Sequence, residues 1–218
     1  EQIHAPISTI EPVTQDKIIN YYDNPTLRLE YERFCSDSII EFQNIQTDAL
    51  RLHTQKAITT NSTGFGTNSI DYFKGYRALD VYAMDAYPNL AGEDISFTSF
   101  EYSVARNIKQ SNFWILEFTS GGGHGLWDKQ GRVQPYPGAL KQSVIHDFAS
   151  GAELFAHFQF KTFRFGAEQL NYAILDQDGI PRRRFFEVQQ AAEELKRLKS
   201  VLGESILAKK SIAICMDY

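Results

Sequence analysis

A glutamate at the end of an apolar stretch is the residue of this sequence with the clearest chemical potential. Glu117 follows the apolar run 112–116 and precedes a glycine-rich loop that contains Trp127. Active sites of strand–helix barrels lie at the carboxyl ends of the strands, and a buried carboxylate without a partner or a task is costly. A carboxylate in this place, with a tryptophan in reach, indicates glycosidase chemistry. The alternative is a structural glutamate that caps a helix or pairs with an arginine.

Similar polar and aromatic side chains follow the other predicted strands. A closed barrel would bring these strand ends together. Their mixture suits a neutral sugar, because aromatic rings stack on its C–H faces while carboxylates and amides bind its hydroxyl groups. The residues are Asn61 and Phe65; Asp85, Tyr87 and Pro88; Glu117 and Trp127; and Gln159, Lys161, Arg164 and Glu168.

Several of these features have plainer interpretations. The glycine-rich segment 121–125 has neither the Walker lysine nor the dinucleotide spacing, so it does not predict a phosphate site. Tyr87 and Trp127 could serve only in packing, and His157, between phenylalanines, is better explained as a satisfied core histidine. The arginines 182–184 fit a solvated basic cluster, although their position at a helix start leaves room for a buried carboxylate partner. No cysteine or histidine has metal-ligand spacing, so no metal site is predicted.

Composition narrows the function classes. The 218 residues carry a net charge of -5 and show no basic stripe, which argues against a nucleic-acid partner. The sequence contains no run of about 18 apolar residues that would span a membrane. The two cysteines are far apart and compatible with a reducing compartment, and no signal peptide is recognised, so a cytoplasmic location is expected. The start at Glu1 and the strand-like end suggest a segment of a longer protein.

The elements that must position these residues alternate regularly. Apolar periodicity predicts a first helix, then four strand–helix units and one more strand. This order predicts an α/β fold with a parallel sheet and outer helices, and four units equal half of a (β/α)8 TIM barrel. A doubly wound sheet fits the periodicity about as well, but the clustered polar residues favour the barrel. Predicted helices cover 25–53, 71–79 (capped by Ser69), 97–108, 137–148 and 183–201; predicted strands cover 57–61, 80–88, 112–117, 152–160 and 210–218.

Seven short motifs in a fixed order then resemble one family. Together they resemble the β-galactosidases of glycoside hydrolase family 42, from about residue 29 to the carboxyl end. The motifs are Thr60-Asn61 with Gly64-Phe65, Asp85-x-Tyr87-Pro88, FWILE at 113–117, QPYPG at 134–138, SGAE at 150–153, HFQF at 157–160 and GAEQ at 166–169.

The resemblance implies roles for individual residues. Glu117 matches the catalytic nucleophile at the end of barrel strand seven, and Tyr87, at the end of strand six, would orient it by a hydrogen bond. Five further residues are implied in substrate binding. They are Trp127 beside the galactose site, Glu168 on sugar hydroxyls, Asp85 and Phe158 as supporting pocket residues, and Asn171 in place of a histidine that some members carry.

The resemblance also implies an incomplete catalytic pair. Residues 1–205 would form the carboxyl-terminal half of the catalytic barrel, strands five to eight, and residues 206–218 the first strand of a following α/β domain involved in trimerisation. The family's acid/base glutamate lies in an Asn-Glu pair at the end of strand four, and no Asn-Glu pair occurs here. The structural zinc of some members would also lie upstream, and no cofactor is expected within this chain.

The expected activity is retaining hydrolysis of terminal β-D-galactose by double displacement, in a homotrimeric parent protein. The chain alone should be inactive, because one carboxylate cannot serve both catalytic roles. Two alternatives stay open. One is a non-catalytic or degenerate carbohydrate-binding barrel, and the other is a related retaining glycosidase that acts on α-L-arabinopyranosides.

Overall fold

The structure, a computed structural model, describes residues 25–64, 70–88, 96–122, 134–169, 171 and 173–202. Helices and strands alternate along the chain, as the apolar periodicity predicts. The helices are α1 (Pro25–Arg51), α2 (Tyr72–Gly75), α3 (Ser96–Lys109), α4 (Ala139–Ala149) and α5 (Arg183–Leu202), and the strands are β1 (Ala83–Ala86), β2 (Phe113–Thr119) and β3 (Ala152–Phe158). The predicted strand 210–218, and with it the proposed second domain, lies outside the described residues.

The strands form a parallel sheet in the order β1-β2-β3. A further segment, residues 57–62 (the Ser62 segment), lies beside β1, and its Ser62 bridges in parallel to Met84. The Ser62 N–H donates to the Ala83 carbonyl at 3.0 Å, and the Ser62 carbonyl accepts from the Asp85 N–H at 2.8 Å. Because all strands run the same way, their carboxyl ends meet at one edge, which confirms the predicted parallel α/β arrangement.

The predicted strand 57–61 is wrong as a regular strand. Side chains take hydrogen bonds that a ladder would otherwise use: the Ile58 N–H donates to the Asp80 carboxylate at 2.7 Å, and the Thr59 hydroxyl donates to the Val81 carbonyl at 2.7 Å. Local side-chain bonds of this kind compete with sheet pairing. They hold the segment alongside β1 and leave only the bridge at Ser62.

The second helix and the next strand are shorter than predicted. Helix α2 has four residues, where 71–79 was expected, and Asp71 caps it by accepting from the Lys74 N–H at 3.0 Å. The predicted cap, Ser69, lies outside the described residues. A Cβ on Gly75 would lie 3.5 Å from Ile40, an ordinary van der Waals distance, so α2 packs closely on α1 at this point. Strand β1 covers only 83–86 of the predicted 80–88, because Asp80 and Val81 bind the Ser62 segment.

Aromatic and aliphatic side chains from the strands and helices form one core. Tyr72, Tyr76 and Tyr82 pack edge-on or tilted at centroid distances of 4.6–6.2 Å. The Tyr76 hydroxyl lies 2.7 Å from the Thr60 carbonyl oxygen and 2.9 Å from that of Ala83, so it ties the Ser62 segment to β1. Burial raises the pKa of Tyr76 far above its ordinary value, which keeps this hydroxyl neutral. Strand β2 contributes Phe113, Ile115 and Phe118, all fully buried.

Helix α1 exposes large apolar side chains. Phe34, Phe42 and Ile45 are 65%, 66% and 61% exposed. Exposed apolar surface of this size is characteristic of a face that packs against something else. Among the described residues, no helix is both long enough and apolar enough to cross a membrane.

Candidate active site

Strands β1 and β2 bring three of the predicted site residues together at their carboxyl ends. Asp85 and Glu117 are register partners on the two strands. The Tyr87 hydroxyl, just beyond β1, donates to Oε2 of Glu117 at 2.7 Å. A charge-assisted bond of this length fixes the orientation of the carboxylate. The Asp-x-Tyr spacing therefore places two partners of Glu117 on the neighbouring strand.

Asp85 occupies an unusual electrostatic environment. Burial raises its pKa to about 7, the neighbouring Glu117 charge adds to the rise, and a hydrogen bond from Asn61 opposes it. Its Oδ1 is buried and meets no hydrogen-bond partner within the described part of the chain. The motif analysis placed Asn61 at the same sheet edge but did not anticipate that it would bind Asp85.

The end of β3 carries the next group of predicted residues. Half-buried Phe158 is the register partner of Thr119, two residues beyond Glu117. Further along, the Asn171 side chain donates to Oε2 of Glu168 at 2.6 Å, and its backbone N–H donates to the Glu168 carbonyl at 3.0 Å. Asn171 thus orients the Glu168 carboxylate. Within the described ranges, no hydrogen bond links this pair to Glu117.

His157 and Gln159 flank Phe158 and differ in their hydrogen bonding. Burial lowers the pKa of His157 to about 4, so its imidazole is neutral at physiological pH. The ring lies 3.3 Å from the Ser120 hydroxyl and edge-on to Phe118, which agrees with a satisfied core histidine. The side-chain Nε2 of Gln159 is buried and has no partner among the residues described. It is therefore a donor at the carboxyl end of β3.

The remaining candidates divide into two sets. Trp127 and Phe65 lie outside the described residues, so their predicted places stay predictions. Lys161 and Arg164 are exposed. No group of three or more histidine, cysteine or acidic residues within the described ranges could hold a metal ion.

The arginines at the start of α5 form a network instead of a solvated cluster. Arg184 donates to the Ala173 carbonyl at 3.0 Å and the Gln134 side chain at 2.9 Å, and it pairs with Asp176. Arg183 donates to the Pro135 carbonyl at 2.6 Å. It also pairs at 2.6 Å with Glu187, whose side chain is only 9% exposed. Glu187 is the buried carboxylate partner that the sequence left open. The network as a whole fixes the segments that follow β2 and β3.

A sequence profile decides the family. The profile of glycoside hydrolase family 42, described as β-galactosidase, matches residues 1–198. The chain belongs to this family. The family fold is the TIM barrel, to which the parallel sheet and outer helices correspond.

Individual relatives agree with the family assignment. The chain is 31% identical to β-galactosidase BgaA of Clostridium cellulovorans, over 83% of this chain and 28% of the relative. It is 28% identical to a β-galactosidase of Thermus thermophilus, over 89% of this chain and 32% of the relative. The chain therefore spans less than a third of the length of these relatives.

Solved structures of family members superpose on the same elements. Gan42B, a GH42 β-galactosidase from G. stearothermophilus, aligns with a TM-score of 0.77 at 27% identity, over 90% of this chain and 30% of that one. The β-galactosidase of the psychrophilic Marinomonas ef1 aligns with a TM-score of 0.73 at 28% identity, over 84% of this chain and 30% of that one. Similarity at this level extends over most of the chain.

Proposed function

We propose that the protein to which this chain belongs is a retaining β-galactosidase with Glu117 as its nucleophile. Its substrate would be a terminal, non-reducing β-D-galactose residue. The hydrogen bond between the Tyr87 hydroxyl and Glu117 Oε2 carries the proposal. A carboxylate held by a tyrosine at the carboxyl end of a parallel strand has the location and the fixed orientation that a nucleophile needs.

The arrangement supports a specific first step. Since Tyr87 binds Oε2 of Glu117, we assign the attack on the anomeric carbon to Oε1. A C1–O ester bond forms to Glu117 while the glycosidic C1–O bond breaks, and the leaving oxygen takes a proton from a second carboxylic acid. Water then cleaves the ester, with the same second carboxyl group accepting the proton, so that the anomeric configuration is retained.

The second carboxyl group is proposed to come from the part of the parent protein that precedes this chain. The two carboxyl groups of a retaining glycosidase lie about 5–5.5 Å apart. We place this chain as barrel strands five to eight over residues 1–205, with a further domain beginning at 206. The apolar surface of α1, with Phe34 and Phe42 largely exposed, supports further packing of this kind. A homotrimer and a cytoplasmic location belong to the same proposal.

Substrate contacts are assigned around this centre. Glu168, oriented by Asn171 at 2.6 Å, would accept hydrogen bonds from galactose hydroxyls. Phe158 would border the sugar from the end of β3, and Trp127 would form its aromatic platform. Asp85 stands beside the nucleophile rather than beside Glu168.

Trapping of the covalent intermediate tests the assignment. The full-length protein would be incubated with 2,4-dinitrophenyl 2-deoxy-2-fluoro-β-D-galactopyranoside, whose glycosyl–enzyme ester breaks down slowly, and digested for mass spectrometry. The expected label is one fluorogalactosyl group on Glu117. A label on another carboxylate, or none with active enzyme, would disprove the role of Glu117.

Rescue by azide gives an independent test. Glu117→Gly in the full-length protein should be inactive on the dinitrophenyl galactoside and should regain turnover in azide, because azide replaces the missing nucleophile. The product should be α-galactosyl azide, the inverted anomer. Rescue that gives the β-anomer would contradict the assignment, since it would mark position 117 as the acid/base. The 218-residue chain alone should show no turnover.

A further inference from the structure

Asp85 is the group of this site that the proposed reaction does not use. It lies next to Glu117 across β1 and β2, and the reaction needs only one carboxylate on this side of the sugar. We propose that Asp85 is a positioning residue: a neutral carboxylic acid that leaves the nucleophile in its attacking position only while it holds its own proton. This inference rests on the proposed role of Glu117 and deepens it.

The geometry sets the two carboxyl groups against each other. Asp85 and Glu117 are paired in register on adjacent parallel strands, and the ladder is irregular between Met84 and Asp85. Glu117 has its tyrosine donor, whereas Oδ1 of Asp85 is buried without a partner among the described residues. A buried oxygen without a donor is poorly suited to an anion. The protonated form is therefore the one that this environment accommodates.

Among the residues that the structure describes, the charged and titratable groups around Asp85 add no compensating cation. Glu117 faces it from β2 and acts against its ionisation, while Asn61 is an uncharged hydrogen-bond partner. Tyr76 of α2's carboxyl end also senses the Asp85 charge, and its hydroxyl stays neutral. Glu101 of α3 is also close. A Cβ placed on Gly64 would lie 3.1 Å from Oε1 of Glu101 and 3.9 Å from the Asp85 carbonyl oxygen. Tyr87 is committed to Glu117.

Ionisation of Asp85 would place a second anion beside the nucleophile. Like charges in a partly buried site repel each other, so an anion at position 85 would act directly on Glu117. Both residues are fixed in strands, but Glu117 has the longer side chain, and we infer that it would turn away from Tyr87. Burial and Glu117 together raise the pKa of Asp85 to about 7, which brings this change into the working range of pH.

The experiment isolates the nucleophile from the acid/base. Full-length protein would be inactivated by 2,4-dinitrophenyl 2-deoxy-2-fluoro-β-D-galactopyranoside at pH 6 and at pH 8. The dinitrophenolate leaves without a proton, so the rate of ester formation does not depend on the general acid. In the wild-type protein the rate should fall about tenfold between the two pH values, since a group with a pKa near 7 is about nine-tenths ionised at pH 8.

Neutral replacements provide the comparison. Asp85→Asn and Asp85→Ser cannot ionise at position 85, so the ratio of their rates at pH 6 and pH 8 should be close to one, whatever the rate at pH 6. Glu153→Gln is the matched control, because Glu153 lies at the opposite end of β3, bound to Asn112 at 2.8 Å. This control should keep the tenfold fall.

Each outcome bears on one hypothesis. A wild-type rate that does not fall, a fall that persists in both neutral variants, or loss of labelling in both of them would overturn the role of Asp85. Absence of any label on wild-type Glu117 at pH 6 would instead disprove the proposed function. If Asp85 were merely structural, its neutral variants would change the inactivation rates at pH 6 and pH 8 alike. The ratio of the two rates would then stay at the wild-type value.

Discussion

Asp147 and Asp85 each lie next to a second titratable group, and they differ in what that group is. Asp147 of α4 is completely buried, and its neighbour is a base, because His146 Nδ1 lies 3.1 Å from its carboxylate. Asp85 of β1 is partly buried, and its neighbour is another acid, Glu117. Burial raises the pKa of both aspartates, but only His146 acts against that rise through a charge.

The two environments differ in whether the neighbouring group offsets the cost of burial. At Asp147 the base and the Ser143 hydroxyl favour the charged form, and Ser99 binds the other ring nitrogen of His146 at 3.0 Å. This network joins α3 to α4. At Asp85 the neighbouring acid adds to the cost of burial instead of offsetting it. Arrangements that cost stability are characteristic of functional sites, which is why the second pair, and not the first, is assigned to chemistry.

Loss of the acid next to Asp85 should have the largest effect. Glu117→Gln in the full-length protein should lower kcat on a nitrophenyl β-galactoside on the order of 10⁴-fold or more, since the bond-forming oxygen is gone. Folding should be preserved, because the amide still accepts a hydrogen bond from Tyr87. Steady-state kinetics and thermal unfolding would measure the two effects, with Glu153→Gln as the control. A near-normal kcat would mean that neither the Asp85–Glu117 pair nor the Asp147–His146 pair serves catalysis.

Loss of the base next to Asp147 should affect stability and not turnover. His146→Leu leaves the fully buried Asp147 without its base, and the loss of one partner of such a pair destabilises by about 3 kcal/mol. Chemical denaturation at pH 6 would measure the change. Unchanged stability would contradict the structural role of this pair.

The same pair predicts how stability depends on pH. Asp147 raises the pKa of His146. The stabilisation is therefore fully present below the ordinary histidine pKa of about 6.5 and is lost as pH rises through the raised value. Wild-type stability should decrease between pH 6 and pH 9 through this pair, and His146→Leu should remove that part of the decrease. A variant with the wild-type slope would exclude His146 as its source.

Removal of the tyrosine donor tests how firmly the acidic pair is held. Tyr87→Phe should lower kcat about 10²-fold, since the lost bond orients a charged group at the reacting centre, while KM should change little. The alkaline decline in the inactivation rate should also begin at lower pH than in wild type. The reason is that Glu117 has lost the hydrogen bond that holds it in place against repulsion from Asp85. A change confined to KM would instead assign Tyr87 to ground-state sugar binding.

The smallest effect should come from neutralising Asp85. Its folded-state pKa of about 7 lies above the unfolded value, so its contribution to stability is present below about pH 4 and is lost as pH rises through 7. Asp85→Asn should therefore stabilise the protein at pH 8 by about 1–2 kcal/mol, a figure reduced for partial solvent exposure. The gain should be smaller at pH 5. Denaturation at both pH values would show it, and equal stability at pH 8 would contradict an ionised, uncompensated Asp85.

Much of this site was predictable from sequence because its residues lie at strand ends. The run 112–116 and the motif Asp85-x-Tyr87 each mark a strand, and parallel strands place their ends side by side. The pairing of Tyr87 with Glu117 followed from the family resemblance and is present at 2.7 Å. Helix α5 (Arg183–Leu202) also agrees closely with its prediction over 183–201, because amphipathic periodicity over five turns is a strong signal.

Other features depend on contacts that local sequence does not encode. Residues 57–61 have strand propensity, yet Asp80, some twenty positions away, accepts a backbone hydrogen bond that a strand would need. The charge state of Asp85 follows from its burial and from Glu117, 32 positions away. Sequence analysis therefore identified Asp85 as a pocket residue, but not as an acid whose proton matters.

The guanidinium of Arg184 has a consequence for how this family can vary. It binds Gln134, in the segment that precedes α4, and also Ala173 and Asp176, in the segment between β3 and α5. Both segments are thus fastened to a single side chain at the start of α5. A longer or shorter segment in one position must still return to this anchor. Exchange of these two segments should therefore keep both in place only when the arginine is transferred with them.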